Sequence, residues 1–227
     1  MTFEPYFLLK LAHILLFVYW LGADIGVFYS VRYVKDRELG LQARQTALKI
    51  LGWIDQIPRY CLVLTLPVGY SLAKQMGVVG ISSRLFLVLW IVTVAWLWMV
   101  WAIHHHAGTR FAERLRSVDL GWRWLLVAGL LWDGYQGLRG RGHLFADWVS
   151  LKFIIFSLLV FCGIMIRVRG KPLGPALRDT FAQGSTPERE AVITASFAST
   201  RPWVLAIWTL LLVAAYVGIS KPMFPGG

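Results

Sequence analysis

The chain has 227 residues, 57% of them hydrophobic and only 15% charged, with a mean hydropathy of +0.60. An ordinary soluble domain carries about a quarter of its residues as charge, so this composition argues against a water-soluble globule and for lipid as the main solvent. Lys and Arg number 23 against 12 Asp and Glu, but no zinc spacing, RNA-binding box or basic helix with heptads accompanies them, which excludes a nucleic-acid partner and leaves cationic loops beside anionic lipid.

A helix needs roughly 20 apolar residues to cross a hydrocarbon layer about 30 Å thick. In chain order the segments 7–29, 60–79, 85–106, 149–166 and 203–219 meet or nearly meet that requirement. The first has neither a basic leader nor a small-residue cleavage site, so it is expected to remain as a span rather than to act as a signal peptide. The segment 121–138 has a short apolar core, 124–132, followed by Asp133. It reads as a short or irregular fourth span, or as a helix lying in the interface.

The loops choose between those readings. Arg32, Lys35, Arg37, Arg44 and Lys49 follow the first span, Arg110, Arg114 and Arg116 follow the third, and Arg167, Arg169, Lys171 and Arg178 precede the last. All three groups favour the cytoplasm, and parity then requires 121–138 to cross. The expected fold is an all-α integral membrane protein, one domain over 1–227, with about six transmembrane helices and both termini outside. Five spans plus an interfacial helix is the alternative. Amphipathic cytoplasmic helices are expected at 37–54 and 187–199, lying on the headgroups. No internal repeat supports a transporter made of two halves.

Ionisable residues inside spans are costly and therefore more often functional than those elsewhere. They are His13, Asp24, Asp133 and Lys152. His13, Trp20 and Asp24 share one helical face, because steps of seven and eleven residues return close to the starting direction. With the amino terminus outside, His13 and Lys152 lie at similar depth, and Asp133, His143 and Asp147 complete an expected polar cluster near the outer leaflet. The competing reading has Lys152 and Asp147 snorkelling to the headgroups.

His104, His105 and His106 are consecutive, and consecutive helical residues point about 100° apart. They read either as a cationic helix end or, at His104 or His105, as a weaker metal or haem ligand. Cys61 and Cys162 read as small buried residues, and Pro67 with Gly69 as a kink or a close helix approach. The 12 tryptophans read mostly as interfacial belt and helix packing.

The opening run L-A-H-I-L-L-F-V-Y-W-L-G resembles the histidine-bearing first helix of the copper-resistance D and HemJ-type families and of related uncharacterised inner-membrane proteins. Ala146 to Phe156, A-D-W-V-S-L-K-F-I-I-F, resembles the HemJ-type helix that carries a Trp and a Lys. The resemblance implies haem b or a related tetrapyrrole between helices, with His13 as iron ligand and Lys152 near a propionate. Trp20 and Asp24 join them as cofactor-binding residues on the His13 face. The expected role is redox or tetrapyrrole handling in a bacterial inner membrane, with no catalytic residue assigned. The alternative is a cofactor-free permease, or a subunit packing against other membrane subunits or a second copy of itself.

Overall fold

The computed structural model describes residues 4–223. They form eight helices: α1 (Pro5–Lys35), α2 (Leu41–Ile54), α3 (Gln56–Gln75), α4 (Ser83–His105), α5 (Arg110–Leu138), α6 (Asp147–Arg169), α7 (Leu173–Gln183) and α8 (Pro187–Ser220). Among the described residues the only extended pairing is a lone antiparallel bridge between Val79 and Leu144. The protein is thus all-helical. Four helices, α1, α4, α6 and α8, are long and apolar enough to cross a membrane.

Local chemistry sets the helix boundaries. Ser82, Thr109 and Thr186 each accept a backbone N–H of the first turn of α4, α5 and α8, and Pro187 occupies the start of α8 where no N–H is required. Gly108 and Gly184 turn the chain between α4 and α5 and between α7 and α8 at φ of 91° and 96°, a region that side chains disfavour.

Helix α6 is the centre of the bundle, packed on α5 and on α8, while α1 packs on α3 and α2. The α5–α6 approach depends on glycine. A Cβ on Gly134 would come within 2.8 Å of the Ser150 carbonyl oxygen, and one on Gly137 would run into the Ser150 side chain. Ser157 of α6 donates to the Val127 carbonyl of α5 at 3.0 Å, a bond that ties the two backbones directly.

A second, smaller core lies at the end where α2 and α7 sit. Val34, Ala176, Leu177 and Ile193 are buried there under Ala47, Leu48, Leu51, Leu173, Phe181 and Phe197. The amphipathic segments share this core with the end of α1, and α7 is an element the sequence reading did not anticipate.

Two further expectations change. Residues 121–138 are not a short irregular piece but the second half of a regular 29-residue helix. Thr109 caps its charged first turn, and Asp119 and Arg123 pair one turn apart further along it. Likewise 187–199 is not a separate helix: it runs on through Pro202 into α8. Proline there removes one backbone bond, which neighbouring turns of a 34-residue helix can tolerate.

Candidate functional site

At the α2–α7 end of the bundle three helices converge on one carboxylate. Asp119 of α5 is fully buried. Its Oδ1 accepts the Trp96 indole N–H from α4 at 2.7 Å. Its Oδ2 accepts Arg123 Nε at 3.0 Å and also an Nη of Arg167 from α6. The Arg123 guanidinium lies 5.4 Å from the Trp96 ring centroid, a cation–π distance. Arg59 of α3 pairs with Asp55 and is within electrostatic reach of Asp119, Arg123 and Arg167. Asp24 of α1 belongs to the Asp55–Arg59 side of this group.

Trp96 is also a wall of an apolar cavity of about 400 Å³ between α3, α4 and α5. Val63, Leu66, Val92, Thr93, Trp122 and Leu126 line it, and exposed Leu85 and Val88 flank it on the bundle's outer face. The Trp122 indole N–H is buried without a hydrogen-bond partner.

The far end of the cavity is closed by Tyr70 and His143. Their side chains are 3.1 Å apart, oxygen to Nε2, and their rings are stacked with an interplanar angle of 9°. Asp133 approaches His143 Nε2 at 4.0 Å. The bridge between the two loops holds this arrangement: Gly80 N–H donates to the His143 carbonyl at 2.8 Å and Phe145 N–H to Val78 at 2.9 Å.

The residues singled out in the sequence divide between these places. His13 packs on α3, its ring in the notch left by Gly69, where a Cβ would lie 3.4 Å from Cε1. Its Nδ1 is buried without a partner. It is in electrostatic contact with Lys152, whose Nζ fits against Gly218 of α8. Trp20 is buried and meets Phe156 edge to face at 6.4 Å, and Asp24, one turn further along α1, is within electrostatic reach of Asp55 and Arg59. Asp133 and His143 group with Tyr70, so the expected outer cluster is two clusters. Asp147 opens α6.

The three consecutive histidines occupy the end of α4. His105 and His106 each place Nδ1 against a carbonyl one turn back, at 3.0 and 3.1 Å. His104 lies edge-on to Trp53 of α2, with ring centroids 5.0 Å apart. Among the described residues no three His, Cys, Asp or Glu side chains gather as a metal would require. For a tetrapyrrole, His13 offers a ring nitrogen without a hydrogen-bond partner beside Gly69. Neither of the two described cavities is lined by His13, Trp20, Asp24 or Lys152.

Asp119, Arg123, Arg167, Trp96 and Tyr70 were not singled out from sequence as site residues. The one local signal was the four-residue spacing of Asp119 and Arg123, which places them on one face of a helix. No family model, curated protein or solved structure matches the chain.

Proposed function

We propose that the chain is a six-crossing protein of a bacterial inner membrane that takes a lipid-soluble amphiphile from the bilayer into the cavity between α3, α4 and α5. In this reading α3 and α5 cross beside the four more apolar helices, both termini are outside, and α2 and α7 face the cytoplasm. The basic connections after α1, α4 and α6 support that orientation. Helices as polar as α5 cross when their charges are paired inside protein, as Asp119 and Arg123 are.

The observation that carries the reading is the cavity itself: apolar, and flanked by exposed residues of the bundle's outer face. The apolar chain of a lipid-soluble molecule satisfies both features. The test is photocrosslinking of the reconstituted protein with phospholipid carrying a diazirine on its acyl chain. Adducts should concentrate on peptides containing Val63, Val92 and Trp122, and Val92→Phe should deplete them. Uniform labelling around the outer faces of α1 and α8 would contradict the proposal.

A second reading keeps haem b or a related tetrapyrrole, with His13 as iron ligand and Lys152 beside a propionate. Its one supporting observation is the unpartnered Nδ1 of His13. The purified protein should then show a Soret band that His13→Ala abolishes; a colourless preparation that stays colourless after haem is added rejects it.

A further inference from the structure

We propose that the Tyr70 hydroxyl, held by His143, binds the ester carbonyl of an acyl lipid whose chain fills the cavity between α3, α4 and α5. This rests on the cavity reading above and adds the bond by which the site recognises its lipid.

The cavity lining decides which part of a lipid can enter. Among the described residues no Lys, Arg, Asp or Glu lines it, and the Thr93 hydroxyl on its wall already donates to the Leu89 carbonyl of its own helix at 2.7 Å. A phosphate or free carboxylate would find no cation there, so a charged head stays outside. The volume of about 400 Å³ is near the lower end of the roughly 300–1,000 Å³ of small-molecule sites, which suits one chain rather than a whole two-chain lipid. The polar side chains at the outer end are Tyr70 and His143. What they can recognise there is an uncharged oxygen joined to that chain.

The hydrogen-bond count of the pair leaves a donor for it. A phenol and a neutral imidazole bring one polar hydrogen each, and their contact at 3.1 Å uses one of the two. Asp133 Oδ2, at 4.0 Å from His143 Nε2, favours a hydrogen on that nitrogen. His143 then donates to the Tyr70 oxygen, and the Tyr70 O–H keeps its own hydrogen for a ligand. Among the described residues that hydroxyl makes no hydrogen bond except the one with His143. A donor whose oxygen is itself accepting a bond from an imidazole beside a carboxylate is strengthened by that chain.

The geometry around the phenol is built rather than incidental. The Tyr70 ring is stacked on His143 and meets Phe153 of α6 edge to face at 5.0 Å, which fixes its direction. The bridge between the two loops fixes His143, and it closes because residue 80 is glycine: a Cβ there would lie 2.5 Å from Phe145 Cζ. Tyr70 stands five residues before the end of α3, about 7.5 Å along the axis at 1.5 Å per residue. In the proposed orientation that end faces outward, so the hydroxyl lies near the interfacial depth at which tyrosine and lipid ester groups meet. A lipid with its head outward, its ester at Tyr70 and one chain running inward along the apolar walls satisfies charge, size and depth together.

The test is competition on the full chain in detergent, with the acyl-chain diazirine phospholipid as label and unlabelled phosphatidylcholine as competitor, either diester or diether with the same head and chain length. The diester should suppress cavity adducts about fivefold more effectively than the diether, the order of one net hydrogen bond. Tyr70→Phe, which keeps the ring, should bring the two competitors level. Tyr135→Phe, an exposed tyrosine of α5 whose hydroxyl accepts from Arg139, should leave the ratio as in the wild type. An infrared readout stands beside the variants: a carbon-13 ester label on wild-type-bound lipid should show a carbonyl band at lower frequency than in detergent alone. Equal competition by diester and diether, a ratio that survives Tyr70→Phe, or an unshifted carbonyl band overturns the assignment. Stronger competition by a polyprenyl quinone than by the diester also overturns it, assigning the hydroxyl to a ring carbonyl. If the acyl label still finds the cavity while the ester preference is missing, this inference alone fails. If the label finds nothing there, the cavity reading fails with it.

Discussion

Arg44 of α2 and Glu190 of α8, 146 residues apart in sequence, form a two-bond ion pair at 2.7 and 3.0 Å in which both side chains are almost wholly buried. Arg44 Nε also donates to the Val34 carbonyl at the end of α1, and Ser185 donates to Glu190 at 2.6 Å. This single pair therefore joins the end of α1, α2, the α7–α8 turn and the start of α8.

Breaking it by removing one partner should loosen that end alone. Arg44→Ala strands a buried carboxylate, a change that typically costs about 3–5 kcal/mol. Hydrogen exchange should quicken in α2 and α7 with little change in α6. The pH dependence follows from Glu190, whose carboxyl is held below the usual glutamate range first by its bond from Arg44, against a smaller opposing effect of burial. Because the folded value is lowered, this contribution is complete above the ordinary glutamate range and is lost as pH falls through the lowered value. Exchange in α2 and α7 should rise on acidification in the wild type, and Glu190→Gln should flatten that rise.

The α5–α6 seam makes a steric prediction. Gly137→Val would drive two methyl groups into Ser150, where even a Cβ has no room. Overpacking of this kind costs about 1–3 kcal/mol, read as a lowered thermal midpoint in detergent. Gly129→Val, on the same helix with no atom within 4 Å of a Cβ, should be close to neutral.

Asp119 should be the most sensitive position of the cluster. Asp119→Leu leaves the Arg123 and Arg167 guanidiniums facing each other without a carboxylate and frees the Trp96 N–H. Loss of one member of a buried charged network costs several kcal/mol, roughly 3–5. Asp119→Asn keeps an acceptor for Trp96 and should fall between Leu and wild type. A Leu variant as stable as the Asn variant would show that the charge at this position contributes nothing.

How much of this was legible follows from how local each signal was. The apolar runs of α1, α4, α6 and α8 identify themselves because lipid demands length and apolarity within one continuous segment. The polar stripe of α1 could be computed from helical periodicity, and Gly69 was recognisable as a close-approach position, although nothing in sequence paired it with His13. Asp119 was hidden by its own neighbourhood: Arg110, Glu113, Arg114 and Arg116 make that stretch read as loop, and its partner Arg167 is 48 residues away. Tyr70 and His143 likewise meet only because a two-loop bridge brings them together. Pairing across helices is a tertiary property, and periodicity carries no trace of it.

The central claim, that the α3–α4–α5 cavity holds an amphiphile's chain, is tested most directly through Trp122. Its indole lines the cavity, so a bromine atom on a resident acyl chain will quench it at contact range. Fluorescence of the reconstituted wild type minus that of Trp122→Phe isolates this residue from the other tryptophans as brominated lipid replaces ordinary lipid. The account predicts a difference signal quenched saturably, ahead of the bulk tryptophans, and relieved by Val92→Phe. A difference signal that brominated chains leave unchanged at every lipid fraction would contradict it.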